Sequence, residues 1–433
     1  MEQLVIVGGT PLEGSVRISG AKNGALPLLA ATLLTEEPLI LGNVPELTDV
    51  EILLEILREL GVTVERRGPN VYSLTAADES RSLARYELVS KMRASIYVLG
   101  PMLAKRGYAK VSLPGGCVIG LRPVDLHIRG MKALGAEIEL DHGYVVARAP
   151  GGRLRGGHMF LAGPAGSSVG ATANVLMAAT LAEGTTVIDG AAAEPEVLEL
   201  ANLLNAMGAR ITGAGTGRIE IEGVEELHGA RTNVIPDRIE AGTYAMMAAA
   251  VPGSDVILEE ARLDHLGSFV EAIRAAGVSI EQTAPDLVRV RREERLQAVN
   301  VTTLPYPGYP TDLQAQLVAL LACAEGTSVV TERIYPDRFL HTAELDRMGA
   351  RIQKEGASAV IHGVARLKGA EVGATDLRAG AALVLAGLAA KGVTRVHEVQ
   401  HVDRGYSNIE DKLGALGAHI HREMVSSSHK RAA

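Results

Sequence analysis

One short pattern recurs six times along the chain and constrains the possible fold more than any other feature. It consists of one or two aliphatic residues, a glycine and a short alternating strand, as in KALGAEIE, NAMGARIT and RAAGVSIE. The six copies are centred on Gly61, Gly135, Gly208, Gly277, Gly349 and Gly417. Successive glycines lie 68 to 74 residues apart, so one supersecondary unit is used six times within 433 residues.

Each copy contains the same elements in the same order, most clearly in the third copy. Residues 168–182 are apolar nearly all round, EGTTVID is typical of a turn and a strand, and residues 195–208 have apolar side chains at helical spacing. Two alternating strands around a glycine-rich turn, ARITGAGTGRIEIEGV, complete the copy. The repeated unit is therefore predicted to be helix, strand, helix, strand, strand.

The first helix of each copy determines the architecture. Segments such as NGALPLLAATLL, IEAGTYAMMAAAV and LRAGAALVLAGLAA have almost no polar face, and a helix that is apolar all round must be buried on all sides. The second helix is amphipathic and is expected nearer to solvent. Three copies can close a globule with apolar helices at its centre and strands outside, and two such globules use all six copies. A stacked solenoid is the alternative, but its repeats are usually about 20–50 residues long.

Composition excludes several classes of function. The net charge is −8 and no block of five or six basic residues occurs, which argues against a general nucleic-acid surface. The longest apolar run, residues 379–390, is shorter than the roughly 20 residues of a membrane span. Two cysteines fit a reducing compartment, and the first residues do not form a secretory signal, so we expect a cytoplasmic protein. The twelve histidines form no HExxH pattern, and we expect no metal and no cofactor.

Polar residues are concentrated where the apolar helices begin. They are Lys22, Asn23, Lys91, Arg93, Asp237, Arg238, Asp312, Gln314, Asp376 and Arg378. The free N–H groups of a helix N-terminus favour anions, so basic residues there predict a site for phosphate or carboxylate groups. The alternative for Asp312 and Asp376 is that they are first-turn acids favoured by the helix dipole. Arg122, Arg338 and Arg404 add guanidinium groups, which bind phosphate and carboxylate bidentately.

The two cysteines differ in their surroundings. Cys323 falls within the apolar segment LVALLACAEGT and is predicted to lie in a helix as a core residue. Cys117 follows two glycines in PGGCVIGLRPVDLHIRG, where Arg122 and Arg129 would lower the pKa of a thiol if they were close in space. The residues alone leave open whether Cys117 is reactive or inert.

Six motifs in order give the chain its strongest resemblance to known proteins. With GAKNGALP, SLPGGCVIGLRPVDLH, PDRIEAGT, YPTDLQAQ, TDLRAGA and HVDRGY, residues 3 to 423 resemble the enolpyruvyl transferases that use UDP-N-acetylglucosamine. The resemblance implies an α/β fold of two inside-out, barrel-like domains, each with three βαβαββ repeats around buried helices. It places one domain at residues 22–235, with the Cys117 loop, and a discontinuous one at residues 1–21 and 236–433.

The resemblance also implies a reaction in peptidoglycan synthesis. The sugar 3′-hydroxyl adds to carbon 2 of phosphoenolpyruvate, carbon 3 is protonated, and phosphate leaves. In this family Cys117 would donate the proton and form a covalent adduct, and Asp312 would be the base. Lys22, Arg122 and Arg404 would hold phosphoenolpyruvate, with Asn23 and Arg378 beside them. The nucleotide-sugar site would contain Arg93, Arg122, Pro123, Val124, Asp125, Leu126, Ser168, Val169 and Ile334, with Arg338, His127 and His401 contributing to the site or its surroundings.

Three other functions are alternatives to this one. The sister transferase that acts on shikimate 3-phosphate typically has Lys-Ser where this chain has Lys22 and Asn23, and it lacks the cysteine loop. A non-catalytic paralogue that binds a sugar nucleotide would not need Cys117 or Asp312. An RNA 3′-phosphate cyclase would need a nucleotide-transferring histidine and a more basic surface. The chain departs from some relatives at Gly166, where they have a lysine, which puts the strength of diphosphate binding in doubt. No obligate protein partner is evident.

Overall fold

The computed structural model describes residues 2–114 and 124–424, and these divide into two compact units. The central unit contains residues 20–114 and 124–235, and the terminal unit contains residues 2–19 and 236–424. Each unit has its own cluster of buried apolar side chains. Separate cores are the usual physical basis for separate domains.

Six four-stranded sheets of one topology form the outer layer of the two units. In each sheet a parallel pair is followed by two antiparallel strands. The sheets of the central unit are Arg231–Asn233, Leu39–Gly42, Val71–Ala76, Val62–Gly68; Leu83–Ala84, Tyr108–Ser112, Tyr144–Arg148, Glu137–Asp141; and His158–Phe160, Thr185–Asp189, Arg218–Glu222, Arg210–Thr212. Those of the terminal unit are Glu13–Arg17, Asp255–Glu259, Leu287–Arg291, Ser279–Ala284; Val301–Thr302, Thr327–Thr331, Ser358–His362, Arg351–Glu355; and Glu371–Gly373, Val393–His397, Glu2–Val7, His419–Met424. None of these described sheets closes into a barrel.

The apolar helices lie inside, as their lack of a polar face predicts. They are Lys22–Ala30, Leu99–Arg106, Val169–Ala179, Arg238–Ala250, Gln314–Leu321 and Leu377–Ala389. Every residue of Gln314–Leu321 is buried, and so is every residue from Arg378 to Leu388. In the terminal unit the three apolar helices contact one another. The inside-out α/β fold class is therefore confirmed.

The second helices are amphipathic and partly exposed, as expected. They are Thr48–Glu59, Asp125–Ala133, Pro195–Ala206, Gly267–Ala275, His341–Arg347 and Ile409–Ala415. The remaining helical segments are Tyr86–Val89 and the 3₁₀ turns Ala31–Leu34, Arg93–Val98, Pro150–Gly152, Leu263–His265, Thr311–Leu313 and Val399–Arg404. In Thr48–Glu59 the buried side chains include those of Val50, Leu53 and Leu57, which lie on one face.

Each repeat also has a first strand that precedes its apolar helix, and two of these strands are exchanged. Glu13–Arg17 precedes the helix Lys22–Ala30, yet it pairs in parallel with Asp255–Glu259 of the terminal unit. Arg231–Asn233 precedes the helix Arg238–Ala250, yet it pairs with Leu39–Gly42 of the central unit. The chain therefore passes between the units twice, after Ser19 and after Ile235.

The predicted elements of the third copy are confirmed at Val169–Ala179, Thr185–Asp189 and Pro195–Ala206. In the second copy the predicted helix is divided, because a 3₁₀ turn, Arg93–Val98, precedes the α-helix Leu99–Arg106. Pro101 is accommodated there because N–H groups of the first turn have no partner within the helix. No helix in the described ranges is long and apolar enough to cross a bilayer.

Candidate functional site

Asp312 lies between two buried arginines in the terminal unit. Its Oδ1 accepts a hydrogen bond from Nη1 of Arg338 at 2.8 Å, and its Oδ2 accepts one from Nη2 of Arg378 at 3.0 Å. The side chains of Arg338 and Arg378 are 5% and 1% exposed, whereas that of Asp312 is 25% exposed. A carboxylate has about four acceptor positions, and the carboxylate of Asp312 is partly exposed to solvent.

The other terminal nitrogen of Arg378 contacts a buried layer of neutral side chains, formed by Tyr406, Gln316 and Thr243. Its Nη1 donates to Oη of Tyr406 at 3.0 Å, and Nε2 of Gln316 donates to the same oxygen at 3.1 Å. Oγ1 of Thr243 lies 2.9 Å from Oη of Tyr406 and donates to the carbonyl of Ile239 at 2.8 Å. The hydroxyl proton of Tyr406 is therefore directed at Thr243, and its oxygen accepts from Arg378.

The charges of the two arginines are maintained in spite of burial. Burial alone lowers the pKa of the Arg338 guanidinium, but Asp312 and Asp376 outweigh it, and the net pKa is raised. Burial likewise opposes the charge of Arg378, and the pKa is raised because Tyr406 and Asp312 favour the cation. Both side chains are therefore fixed cations next to a partly exposed carboxylate.

Ile334 belongs to the same network through a buried glutamate. Oε1 of Glu332 accepts from the backbone N–H of Ile334 at 2.7 Å and from Oγ1 of Thr303 at 2.6 Å. Its Oε2 accepts from Oγ1 of Thr311 at 2.8 Å, and Thr311 in turn accepts from Arg338 at 3.1 Å. The structure thus brings Asp312, Ile334 and Arg338 together.

Asp376 and Asp237 have a structural role as the N-caps of two apolar helices. Asp376 is the N-cap of Leu377–Ala389 and accepts from the N–H groups of Arg378 and Ala379. Asp237 caps Arg238–Ala250 in the same way.

Arg404 and His401 lie half-buried in the 3₁₀ turn Val399–Arg404, two and five residues before Tyr406.

Lys22 begins its apolar helix and forms a buried ion pair in the central unit. Its Nζ lies 3.2 Å from Oδ2 of Asp49, with 10% and 4% of the two side chains exposed. Asn23 follows it and is half-buried. A buried lysine is stable only when paired, and Asp49 in the first turn of Thr48–Glu59 supplies that pairing.

His127 is buried at the start of Asp125–Ala133 and is held by Asn174. Nδ2 of Asn174 lies 3.0 Å from Nδ1 of His127. Burial, with a smaller effect of the Arg93 charge, lowers the pKa of His127 to about 3, so the ring is neutral at physiological pH. A Cβ atom placed on Gly170 would lie 3.2 Å from Nε2 of His127, so the ring packs directly against the helix backbone there.

The remaining residues predicted for the nucleotide sugar lie at two helix N-termini. Ser168 is the N-cap of Val169–Ala179 and accepts from the N–H of Ala171 at 3.3 Å, and Val169 is the first helical residue. Val124 is the half-buried N-cap of Asp125–Ala133, Asp125 is exposed, and Leu126 is half-buried.

Gly166 lies in a small hairpin formed by Ala162–Gly163 and Gly166–Ser167, directly before Ser168. Its φ is +94°, a region that side chains other than glycine rarely adopt, so a lysine would be strained in this backbone conformation. Nη2 of Arg129 donates to the carbonyl of Ala162 in the same hairpin at 2.9 Å.

A buried glutamate near the first apolar helix was missed by sequence reasoning. Oε1 of Glu199 accepts from the N–H of Ile235 at 2.7 Å, whereas its Oε2 has no partner in the described part of the chain. Burial raises the pKa of Glu199 to about 8, with a further contribution from Glu196. A side chain at Gly24 would clash with Oε2. At neutral pH this carboxyl is therefore mostly protonated.

Several predicted residues lie outside the described residues or differ from expectation. Cys117, Arg122 and Pro123 fall in residues 115–123, which the structure does not describe. The prediction that Cys323 lies within a helix was wrong, because Gln314–Leu321 ends before it. Cys323 is half-buried against the core, and burial raises the pKa of its thiol. Within the described ranges, no group of three or more His, Cys, Asp or Glu side chains could hold a metal ion.

Some buried residues near the site were not predicted, and polar residues inside the apolar helices are the sequence signal that could have revealed them. Asn174 and Gln316 are uncharged polar residues within Val169–Ala179 and Gln314–Leu321, and both are fully buried. Tyr406 is the last residue of the HVDRGY motif. Asp49 carried no such signal, since an acid in the first turn of an amphipathic helix is common.

Comparisons with known proteins were consistent with one another. Residues 6–413 match the family EPSP synthase (3-phosphoshikimate 1-carboxyvinyltransferase). UDP-N-acetylglucosamine 1-carboxyvinyltransferase of Ruegeria pomeroyi is 53% identical over 98% of this chain and 99% of its own length. UDP-N-acetylglucosamine 1-carboxyvinyltransferase 1 of Caldanaerobacter subterraneus is 52% identical over 97% of the chain and 99% of its own. Among solved structures, the enolpyruvyl transferase NikO of Streptomyces tendae superposes with a TM-score of 0.88 at 26% identity, covering 98% and 99% of the two chains. EPSP synthase of Acinetobacter baumannii has the same fold, with a TM-score of 0.76 at 20% identity over 98% and 100% of the two chains.

Proposed function

The chain belongs to the EPSP synthase family of enolpyruvyl transferases, and from that membership we propose that it transfers the enolpyruvyl group of phosphoenolpyruvate to the 3′-hydroxyl of UDP-N-acetylglucosamine. Phosphate is released, and the product is the first committed precursor of peptidoglycan. The full-length relatives named for this reaction support this acceptor over shikimate 3-phosphate. We propose that the reaction takes place in the cytoplasm.

The observation that carries the proposal is the fixed position of Asp312. Each of its oxygens is held by a buried arginine, and part of its side chain is exposed, so that a hydroxyl can approach it. A general base must accept a proton from a hydroxyl at hydrogen-bond distance and must not move during the step. Asp312 accepts the proton of the sugar 3′-hydroxyl while the oxygen of that hydroxyl bonds to carbon 2 of phosphoenolpyruvate.

Arg378, which we expect beside phosphoenolpyruvate, and Arg338 also hold Asp312 in place. Arg378 is 1% exposed, and its two terminal nitrogens are bonded to Asp312 and Tyr406. Arg338 is bonded to Asp312 and Thr311. Their fixed charges keep the carboxylate oriented, and they stabilise the anionic form that a base requires.

Lys22, with Arg122 and Arg404, binds the phosphate and carboxylate of phosphoenolpyruvate, and Asn23 lies beside them. Lys22 is suited to this role because it is held at a helix N-terminus, where anions are favoured, and its pairing with Asp49 fixes the ammonium group. Cys117 donates the proton to carbon 3 or forms the covalent adduct. A thiol can fill either role, because it is acidic enough to donate a proton and is nucleophilic once ionised.

We expect the nucleotide sugar to be bound by Arg93, the stretch from Arg122 to His127, Ser168, Val169 and Ile334. The N-terminus of Val169–Ala179 supplies N–H donors to the diphosphate. We further propose that the two compact units are the domains 22–235 and 1–21 with 236–433, each with three βαβαββ repeats.

The test is phosphate release by the purified full-length protein with phosphoenolpyruvate and one acceptor at a time. UDP-N-acetylglucosamine is expected to give stoichiometric phosphate, and shikimate 3-phosphate none. Binding of the sugar nucleotide without release would support a non-catalytic paralogue instead. Release with shikimate 3-phosphate alone would overturn the choice of acceptor.

A matched pair of lysine variants links the reaction to the structure. Lys22→Met is expected to abolish phosphate release, because the ammonium group of Lys22 binds phosphoenolpyruvate. Lys110→Met removes a more exposed lysine–aspartate pair, with Asp141 at 3.4 Å, in an outer sheet of the same unit, and is expected to retain activity. Equal loss in both variants would count against the role of Lys22.

A further inference from the structure

Asn174 is a fully buried polar residue within the apolar helix Val169–Ala179, and its contacts fix its orientation. Its Oδ1 accepts from the backbone N–H of Gly100 at 2.6 Å, and its Nδ2 donates to the carbonyl of Ile96 at 2.8 Å. An N–H can only donate and a carbonyl can only accept, so the amide cannot be turned over. The atom of Asn174 that faces His127 is therefore the NH₂ nitrogen.

This orientation determines the tautomer of His127. Nδ2 of Asn174 has two hydrogens; one is directed to Ile96, and the other to Nδ1 of His127 at 3.0 Å. Nδ1 must accept, so in a neutral ring the proton is on Nε2. The edge of the ring that contains Nε2 and Cε1 lies against Gly170, the second residue of Val169–Ala179.

We propose that Asn174 is a positioning residue that holds His127 as the Nε2–H tautomer, so that the ring presents a neutral donor to an anionic oxygen of the nucleotide sugar. This inference rests on the proposed function, because it takes UDP-N-acetylglucosamine as the ligand of the N-terminus of Val169–Ala179. The opposite tautomer would direct a lone pair at that oxygen and repel it.

The charged and titratable groups close to His127 are consistent with a neutral donor. Arg93 is the charge that acts on the ring, and it disfavours a second positive charge there. The hydroxyl of Tyr97 lies 4.0 Å from the position a Gly170 side chain would take, on the same side as the ring. His127 thus adds a hydrogen bond without adding charge, beside an arginine that supplies the charge.

The first experiment reads the tautomer directly and needs no substrate. The ring nitrogens of the ¹⁵N-histidine-labelled full-length protein are observed by NMR at pH 7.5, and the His127 signals are identified by their loss in His127→Gln. Nε2 is expected to be protonated and Nδ1 unprotonated. A proton on Nδ1 overturns the proposal whether or not the protein turns over phosphoenolpyruvate, so its failure is distinguishable from failure of the proposed function.

The second experiment uses Asn174→Asp, whose carboxylate keeps the acceptor for Gly100 but cannot donate to His127. Nδ1 is then expected to become protonated. Calorimetric affinity for UDP-N-acetylglucosamine at pH 8.5 is expected to fall about tenfold or more, the loss of one charge-assisted hydrogen bond. The affinity is expected to recover partly at pH 6, where the ring of the variant gains a second proton, while the wild-type affinity changes little between these values.

Asn205→Asp is the matched control in the same unit. Asn205 also makes two bonds to backbone, with the N–H and carbonyl of Ile211 at 2.8 and 3.0 Å, but within the described residues no histidine bonds to it. Its variant is expected to bind the sugar nucleotide as the wild type does at both pH values. Equal weakening in both variants, or unchanged ring signals in Asn174→Asp, overturns the proposal. If Asn174→Asp does not fold, titration of the wild type decides: the Nε2–H signal of His127 must shift with UDP-N-acetylglucosamine, and a signal that stays unchanged overturns the proposal.

Discussion

Arg378 donates from Nη2 to Oδ2 of Asp312 at 3.0 Å, and the arginine is almost completely buried while the carboxylate reaches solvent. The pair is therefore asymmetric: one member belongs to the interior of the terminal unit and the other to its accessible surface. Removal of Asp312 takes the shared carboxylate from two buried arginines and also removes an accessible acceptor, whereas removal of Arg378 leaves Asp312 paired with Arg338. The two substitutions should consequently differ in what they damage.

Replacement of Asp312 by asparagine should affect the chemical step most. An amide cannot accept the hydroxyl proton, and general-base catalysis contributes about 10²–10⁴-fold, so kcat should fall within that range. Steady-state phosphate release measures kcat, and circular dichroism checks the fold. Asp264→Asn removes an exposed aspartate that also binds an arginine, Arg262, and should leave kcat unchanged. A loss below tenfold in Asp312→Asn would show that another group is the base.

Replacement of Tyr406 by phenylalanine should reduce stability through Arg378. The change removes the oxygen that accepts from Arg378 and Gln316, and a buried donor left without a partner costs about 1–3 kcal/mol. Urea denaturation measures the free energy of unfolding. Tyr86→Phe, at a tyrosine that is 59% exposed, should change it by less than about 0.5 kcal/mol. Equal values for the two variants would contradict the importance of the buried layer.

An epoxide phosphonate that resembles phosphoenolpyruvate should alkylate Cys117 and leave Cys323 unmodified. The thiolate is the nucleophile, and burial raises the pKa of Cys323, so little thiolate is present there at pH 7.5. Mass spectrometry of tryptic peptides locates the adduct. Cys323→Ser should be labelled like the wild type, whereas Cys117→Asp should escape labelling and keep some activity, because a carboxylic acid can still donate a proton. An adduct on the Cys323 peptide is the adverse outcome.

Replacement of Glu199 by glutamine should change the pH dependence of stability. The pKa of Glu199 is about 8 in the folded protein and near 4.5 when unfolded, so between these values the folded state binds more protons. Its contribution to stability is therefore complete below about pH 4.5 and is lost as the pH rises towards 8, by up to about 1.4 kcal/mol per pH unit.

Glutamine does not titrate, so the difference in unfolding free energy, wild type minus variant, should decrease from pH 5 to pH 8. Urea denaturation at several pH values measures it. Glu271→Gln, at an exposed glutamate, should follow the wild-type curve. A difference that stays constant with pH would mean that Glu199 is ionised throughout this range.

Only part of the candidate site could be predicted from the sequence, and the reason is physical. Lys22, Asp312 and Arg378 stand out because a charge at the start of an apolar helix is poorly explained by packing. The sequence could not distinguish Asp312 from Asp376, since both precede a helix by one or two residues. The structure separates them: Asp376 bonds to backbone N–H groups of its own helix, whereas Asp312 bonds to arginines 26 and 66 residues away.

The sixfold repeat, the buried helices and the order of elements within each copy follow from the amino-acid sequence, because hydrophobic periodicity is a local property of the chain. Strand pairing, in contrast, is a property of the folded chain. Glu13–Arg17 and Arg231–Asn233 join sheets more than 180 residues distant along the chain, and strands as short as Leu83–Ala84 have too few residues to show a period. The same holds for the tautomer of His127, because it depends on the orientation of one amide that Gly100 and Ile96 fix from another part of the chain.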